Sequence, residues 1–234
     1  MRMNSGLWVY LTTSPLLWLA GTLVVWLAAT RIAQLSPGNA LLNPIMLSIA
    51  AISVILLVAG IEYSAYFAGA QFIHFLLGPA TVALGIPLYE KLALVKSNLV
   101  PMLCALVVGS VAAVGSTVFF ANLFGFSPSV VASLAPKSTT AAVAMAISSG
   151  LAGDPALTAA VVVLTGICGA IVVTPMMNAM RIKDYSARGF AAGLASHGIG
   201  TARAYAVDPV AGLFSGIAMG LNAVLTSLIV HLFL

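Results

Sequence analysis

Gly193-Leu-Ala-Ser-His-Gly-Ile-Gly-Thr-Ala-Arg203 gathers three glycines, two hydroxyls, an imidazole and a guanidinium into eleven consecutive residues. The segments around it are strongly apolar. A charged side chain near the middle of a bilayer costs several kcal/mol, and glycine-loosened backbone needs hydrogen-bond partners that hydrocarbon does not supply. The stretch therefore faces protein or water, and it reads as a site. Its counterpart is Ala135-Pro-Lys-Ser-Thr-Thr140, where a lysine and three hydroxyls follow a proline inside another apolar segment.

Of the 234 residues, 62% are hydrophobic and 6% are charged, with mean hydropathy +1.14. About a quarter of the residues of a soluble domain carry charge, so the composition points to an all-α polytopic membrane protein. Roughly six to eight apolar spans fit this length at about 20 residues each. The net charge of +4 does not indicate nucleic acid, because the basic residues fall in short loops and mark the cytoplasmic side. The apolar run over residues 7–32 exceeds a signal-peptide core and reads as a retained first helix. Cys104 and Cys168 lie inside apolar spans as small packing residues, with no metal-ligand spacing around them.

In chain order the predicted spans are 7–29, 43–60, 71–89, 99–123, 156–177 and 210–234. Trp8, Tyr10, Trp18 and Trp26 lie along the first, some at headgroup depth. Asn43 fits an N-cap and Pro44 the first helical residue of the second. Glu62, Tyr63 and Tyr66 read as a polar turn, and Gly78-Pro79 with Gly85-Ile-Pro87 as kinks in the third span. His74 on that span reads as a packing histidine, and Glu90, Lys91 and Lys96 as the next loop.

If every apolar stretch crossed the membrane, Arg181, Lys183 and Arg188 would lie opposite Arg31, Lys91 and Lys96, against the positive-inside rule. The conflict disappears if residues 127–153 enter and leave from one face as two half-helices meeting at Pro136. Each half of about nine to twelve residues reaches roughly 14–18 Å, about the midplane. With residues 189–207 dipping in from the cytoplasmic side, the expected architecture is a single domain over 1–234. It has about six crossings and two re-entrant broken hairpins meeting near mid-membrane, with both termini outside.

Broken helices of this kind aim the positive ends of their half-helices at anionic substrates. Ser138, Thr139 and Thr140 stand where the second half of the first hairpin starts, and Thr201 stands similarly after Gly198 and Gly200. With Lys137 and Arg203 nearby, these groups make a pocket for a small carboxylate. Lys137 is the expected charge partner, Ser138, Thr139, Ser196 and Thr201 hydrogen-bond donors, and His197 a proton carrier, its ordinary pKa being near neutrality. Asn43 and the Gly78-Pro79 region complete the wall. Interface anchoring remains the alternative for Lys137 and Arg203. Gly212, Gly216 and Gly220 recur every fourth residue, as in close helix packing or dimerisation.

Ser196 and His197 are adjacent, so on a helix their side chains diverge and do not form a nucleophile and base pair. No H-E-x-x-H occurs. The chain reads as a non-enzyme without catalytic residues, metal or cofactor, its coupling to protons or sodium left open.

Several motifs resemble the LrgB/CidB family, which includes YohK-type bacterial proteins and the LrgB-like half of the plant plastid glycolate/glycerate translocator. They are Leu42-Asn43-Pro44, the run from Gly78 to Leu84 continuing to Pro87-Leu88-Tyr89-Glu90, Pro136-Lys137-Ser138, Asn178-Ala179-Met180-Arg181-Ile182, and the run from Ala195 to Arg203. After Pro-Lys-Ser that family continues with a hydrophobic residue, two threonines and a proline. Here Thr139-Thr140-Ala141-Ala142 stand instead, so only Lys137 and Ser138 carry over unchanged. The resemblance implies one of two activities in a bacterial inner (plasma) membrane. One is transport of small monocarboxylates such as pyruvate, glycolate or glycerate, which the hairpin reading favours. The other is an antiholin- or holin-like role in murein hydrolase export and autolysis (cytolysis) with a small LrgA/CidA-type partner. Homo-oligomerisation accompanies the second.

Overall fold

The computed structural model describes residues 14–35, 42, 44–76, 79, 82, 83 and 85–234. The elements among them are all helical, and they form two compact units, residues 1–85 and 86–234. Four helices among the described residues are long and apolar enough to cross a membrane.

The first unit holds α1 (Pro15–Gln34), α2 (Pro44–Ala59) and α3 (Tyr63–Phe75). α1 and α2 start on prolines, whose missing donor is not needed in a first turn. α1 packs against both α2 and α3. A Cβ at Gly69 would overlap the Pro15 carbonyl, so α3 crosses α1 at backbone distance. There Trp18 is buried edge-on against Tyr66 (5.8 Å), and the Thr22 hydroxyl lies 3.3 Å from the Tyr66 hydroxyl. Trp18 is thus a packing residue of this crossing. The expected polar turn at Glu62, Tyr63 and Tyr66 is the start of α3, and α3 ends at Phe75 instead of running to residue 89. Trp8, Tyr10, Asn43 and Gly78 lie outside the described residues.

The second unit comprises α4 (Gly85–Glu90), α5 (Leu92–Ser97), α6 (Leu99–Leu123), α7 (Pro128–Leu134), α8 (Ala141–Gly150), α9 (Pro155–Ala179), α10 (Tyr185–Val207) and α11 (Pro209–Ile229). Glu90, Lys91 and Lys96, expected in a loop, fall in or between the two short helices α4 and α5. The chain's three aspartates all serve as N-caps. Asp154, Asp184 and Asp208 accept amide hydrogen bonds from the first turns of α9, α10 and α11, satisfying donors that a helix start leaves orphaned.

α7 and α8 fold back on each other. The Asp154 amide donates to Ser133 Oγ (2.7 Å), and Val131 and Ala135 share a core with Ile147 and Leu151. α10 also reverses. At His197 the backbone takes φ 42° and ψ −135°, and Gly200 lies against the Ala192 carbonyl, whereas a straight helix would hold them about 12 Å apart. The two arms, α10a (185–196) and α10b (198–207), therefore form a second hairpin. The expected break fell at Gly198–Gly200 with Thr201 at the new helix start. Instead Gly198 begins α10b and Thr201 sits one turn in, because the absence of a side chain at Gly200 is used to bring the arms together.

α10a runs parallel to α11, with Gly189 and Gly193 pressed on the backbones of Ala211 and Ser215. It runs antiparallel to α9. Arg188, which lies in the helix rather than in the basic loop, donates to the Thr174 carbonyl (3.2 Å) and to Asn178, while Ser196 abuts Gly169. The base of the α7–α8 hairpin thus adjoins the start of α9, and the base of the α10 hairpin adjoins its end. The 25 residues of α9 separate the two bases by about 37 Å. Of the glycine stripe on α11, Gly212 packs inside the chain on the Tyr205 ring and Gly220 faces open space.

A non-glycine residue at positive φ is strained by about 1–3 kcal/mol. His197→Gly removes that strain and His197→Ala keeps it, while both lose the imidazole. The glycine variant is expected to be the more stable by about 1 kcal/mol, read from unfolding in detergent micelles; equal stability would mean that the backbone relaxes at this position.

Candidate functional site

The tips of the two hairpins meet on Asn222 of α11, which is completely buried. Its Nδ2 donates to the carbonyls of Ser138 and Leu194, both at 3.1 Å. Its Oδ1 accepts from Ser110 (2.7 Å) and from Thr226 (3.1 Å). Two donors and two lone pairs are all used, which is the full capacity of a carboxamide. Leu194 lies in the last turn before the reversal, where helical carbonyls lose their partners, and Ser138 lies in the turn between α7 and α8. One side chain therefore joins both breaks.

In the first break, Thr139 is buried with its hydroxyl donating to the Pro136 carbonyl (3.0 Å). Thr140 is the N-cap of α8 but makes no side-chain cap bond, leaving the first amides of α8 without that partner. Ser138 is 2% exposed, and its hydroxyl has no partner. Lys137 is half-buried, with no counter-charge beside it among the described residues. In the second break, Ser196 is 1% exposed and its hydroxyl is also unpartnered. His197 Nε2 lies 2.9 Å from the Val162 carbonyl. A carbonyl only accepts, so Nε2 carries a proton, and in the neutral ring Nδ1 keeps its lone pair. The ring sits in the space left by Gly166.

The predicted residues thus divide. Lys137, Ser138, Thr139 and Thr140 share one break, and Ser196 and His197 form the other. The Thr201 hydroxyl donates to the His197 carbonyl (2.8 Å) and pairs with Ser215 (2.9 Å), so it fastens α10b to α11. Arg203 lines a crevice at the hairpin base with Tyr185 and Arg188, away from the tips. Asn43 is outside the described residues. Sequence reasoning missed Asn222 and Ser110. The available signal was a carboxamide inside an apolar span, expensive there without partners, and Ser215, Asn222 and Thr226 fall at helical spacing on one face.

A cavity of about 700 Å³ opens between α6, α9 and α10a. Asn98, Asp184 and Ser186 mark one end and Ser196 the other, with walls such as Met102, Ala105, Val172, Phe190 and Leu194 between. Asp184 accepts from both the amide (2.7 Å) and the hydroxyl (2.5 Å) of Ser186, which holds its carboxyl below the usual range.

The hydroxyls of Ser138 and Ser196 contribute no hydrogen bond to the fold, so Ser138→Ala and Ser196→Ala, which keep the backbone carbonyls, are expected to change stability by less than about 0.5 kcal/mol. Asn222→Leu strands two hydroxyls and two carbonyls and is expected to cost about 2 kcal/mol or more. Thermal unfolding of the purified variants compares the three, and a destabilising serine substitution would reveal a partner for that hydroxyl.

The sequence model of the LrgB-like family matches residues 22–234. The uncharacterized protein YwbG of Bacillus subtilis is 33% identical over 205 residues, covering 88% of this chain and 91% of that protein. The holin-like protein CidB of Staphylococcus aureus is 32% identical over 209 residues, 89% of this chain and 91% of that protein. CidB of Staphylococcus epidermidis is 33% identical over the same shares. No solved structure matches.

Proposed function

Because the chain belongs to the LrgB-like family, we propose that it is a holin-like, non-enzymatic component of a bacterial inner (plasma) membrane. In this reading it acts with a small LrgA/CidA-type membrane protein, as an oligomer, to alter permeability and so to govern murein hydrolase export and autolysis. The observation that supports it is likeness along nearly the whole chain to relatives named holin-like.

A second reading has its own support. Two helix breaks, each with a buried unpartnered hydroxyl, are gathered on one asparagine. Oriented free donors at a helix break are what a carrier needs to replace the hydration shell of an anion. In this reading the hairpins are re-entrant from opposite faces, meeting near mid-membrane, and the solute is a small monocarboxylate of the pyruvate, glycolate or glycerate type. Lys137 supplies the charge, and a proton or sodium gradient drives uptake.

Liposomes containing the purified chain, with and without the small partner, separate the two readings. Labelled pyruvate and glycolate are followed beside an unrelated dye, with and without proton and sodium gradients. Holin-like action gives leak that does not discriminate between solutes and survives Lys137→Ala. Carriage gives saturable, dye-excluding uptake that Lys137→Ala reduces at least ten-fold, roughly the worth of one charge-assisted hydrogen bond. The re-entrant arrangement has a separate test. In a chain carrying Cys104→Ser and Cys168→Ser, Ser127→Cys and Lys183→Cys are expected to react with a membrane-impermeant thiol reagent from opposite sides. Labelling from the same side would exclude hairpins that enter from opposite faces.

A further inference from the structure

The cavity between α6, α9 and α10a has a mouth, a depth and a charge pattern. Its mouth lies where α6 and α10 begin and α9 ends, at Asn98 and Asp184. Ser196 at the inner end is twelve residues beyond Asp184, so the cavity runs about 18 Å along α10a. That is close to one leaflet of a hydrocarbon core about 30 Å thick. Between the ends the walls are almost wholly apolar. An apolar cavity of this kind holds water poorly, and its volume is in the range of ligand sites. Exposed cations adjoin the mouth residues in sequence, though they do not line the cavity: Lys96, two residues before Asn98, and Arg181 and Lys183, just before Asp184. The carboxylate at the mouth, Asp184, is engaged by the start of α10, where the helix dipole offsets its charge.

We propose that this cavity binds an anionic phospholipid, one acyl chain lying along α10a and its headgroup held among Lys96, Arg181 and Lys183. The charge pattern selects the headgroup: on the positive-inside reading, on which this proposal rests, these basic residues mark the cytoplasmic side, where they complement anionic lipid. The apolar walls select the chain. The methyl end reaches Ser196, so the lipid abuts the second helix break and buttresses α10a against α6 and α9.

The test uses the full chain purified in mild detergent. Native mass spectrometry reads retained phospholipid, and thermal unfolding is followed with added phosphatidylglycerol or phosphatidylcholine. Wild type is expected to retain phosphatidylglycerol and to be stabilised by it over phosphatidylcholine. Ala105→Trp, which fills the cavity, abolishes retention; Ala191→Phe serves the same end if the tryptophan variant does not fold. Lys96→Gln with Lys183→Gln weakens phosphatidylglycerol about 25-fold, about five-fold per charge, and leaves phosphatidylcholine unchanged. Equal retention of the two lipids by wild type, or undiminished retention in a folded cavity-filling variant, overturns the proposal. So does cross-linking of Ala105→Cys to a second copy of the chain, which would make the cavity a protein interface.

Discussion

The four hydrogen bonds of Asn222 are the constraint on which the second unit depends. Each hairpin tip exposes backbone that has lost its helical partner, and in an apolar interior such groups carry a penalty of several kcal/mol. A single carboxamide answers both tips at once, and Ser110 and Thr226 fill its remaining valences. The arrangement tolerates two broken helices because the breaks satisfy each other through a third helix.

Close packing supplies the rest. Gly189 and Gly193 bring α10a onto the backbone of α11, and Gly166 and Gly169 receive His197 and Ser196 on α9. Apolar side chains gain little from one another when the surroundings are also apolar, so contact at backbone distance is the effective adhesive between such helices. The two unpartnered serine hydroxyls stand out against this background. Among the buried side chains at the tips, Ser138 and Ser196 keep hydrogen-bonding capacity to offer, beside the uncapped start of α8 and the Lys137 ammonium.

Much of this was legible in the sequence. Pro136 marks the first break and Ser138–Thr140 the helix start after it, and the span over 99–123 coincides with α6, because proline, N-caps and apolar runs act locally. The membrane class and the family were equally plain. The second break was placed near its true position but on the wrong residue, since glycine is the expected site of reversal and His197 takes the positive φ instead. Its reason is tertiary: the imidazole bonds a carbonyl 35 residues away. Asn222 was invisible for the same reason, its carbonyl partners lying 84 and 28 residues distant. In the first unit, the polar residues at the start of α3 read as a turn because local polarity resembles a loop, whereas the Tyr66 hydroxyl meets that of Thr22.

The separation of the hairpin bases along α9 has an electrical consequence on the re-entrant reading. On that reading each hairpin would carry aqueous contact from its own side toward the middle, and the membrane voltage would fall mainly across the thin layer where the tips meet. A unit charge moved across a full membrane responds by about 2.3 kcal/mol per 100 mV. The ammonium of Lys137, at one edge of that layer, then feels a large share of the field while moving only a few ångströms. Voltage would then act on the hairpin tips directly, through the Lys137 charge.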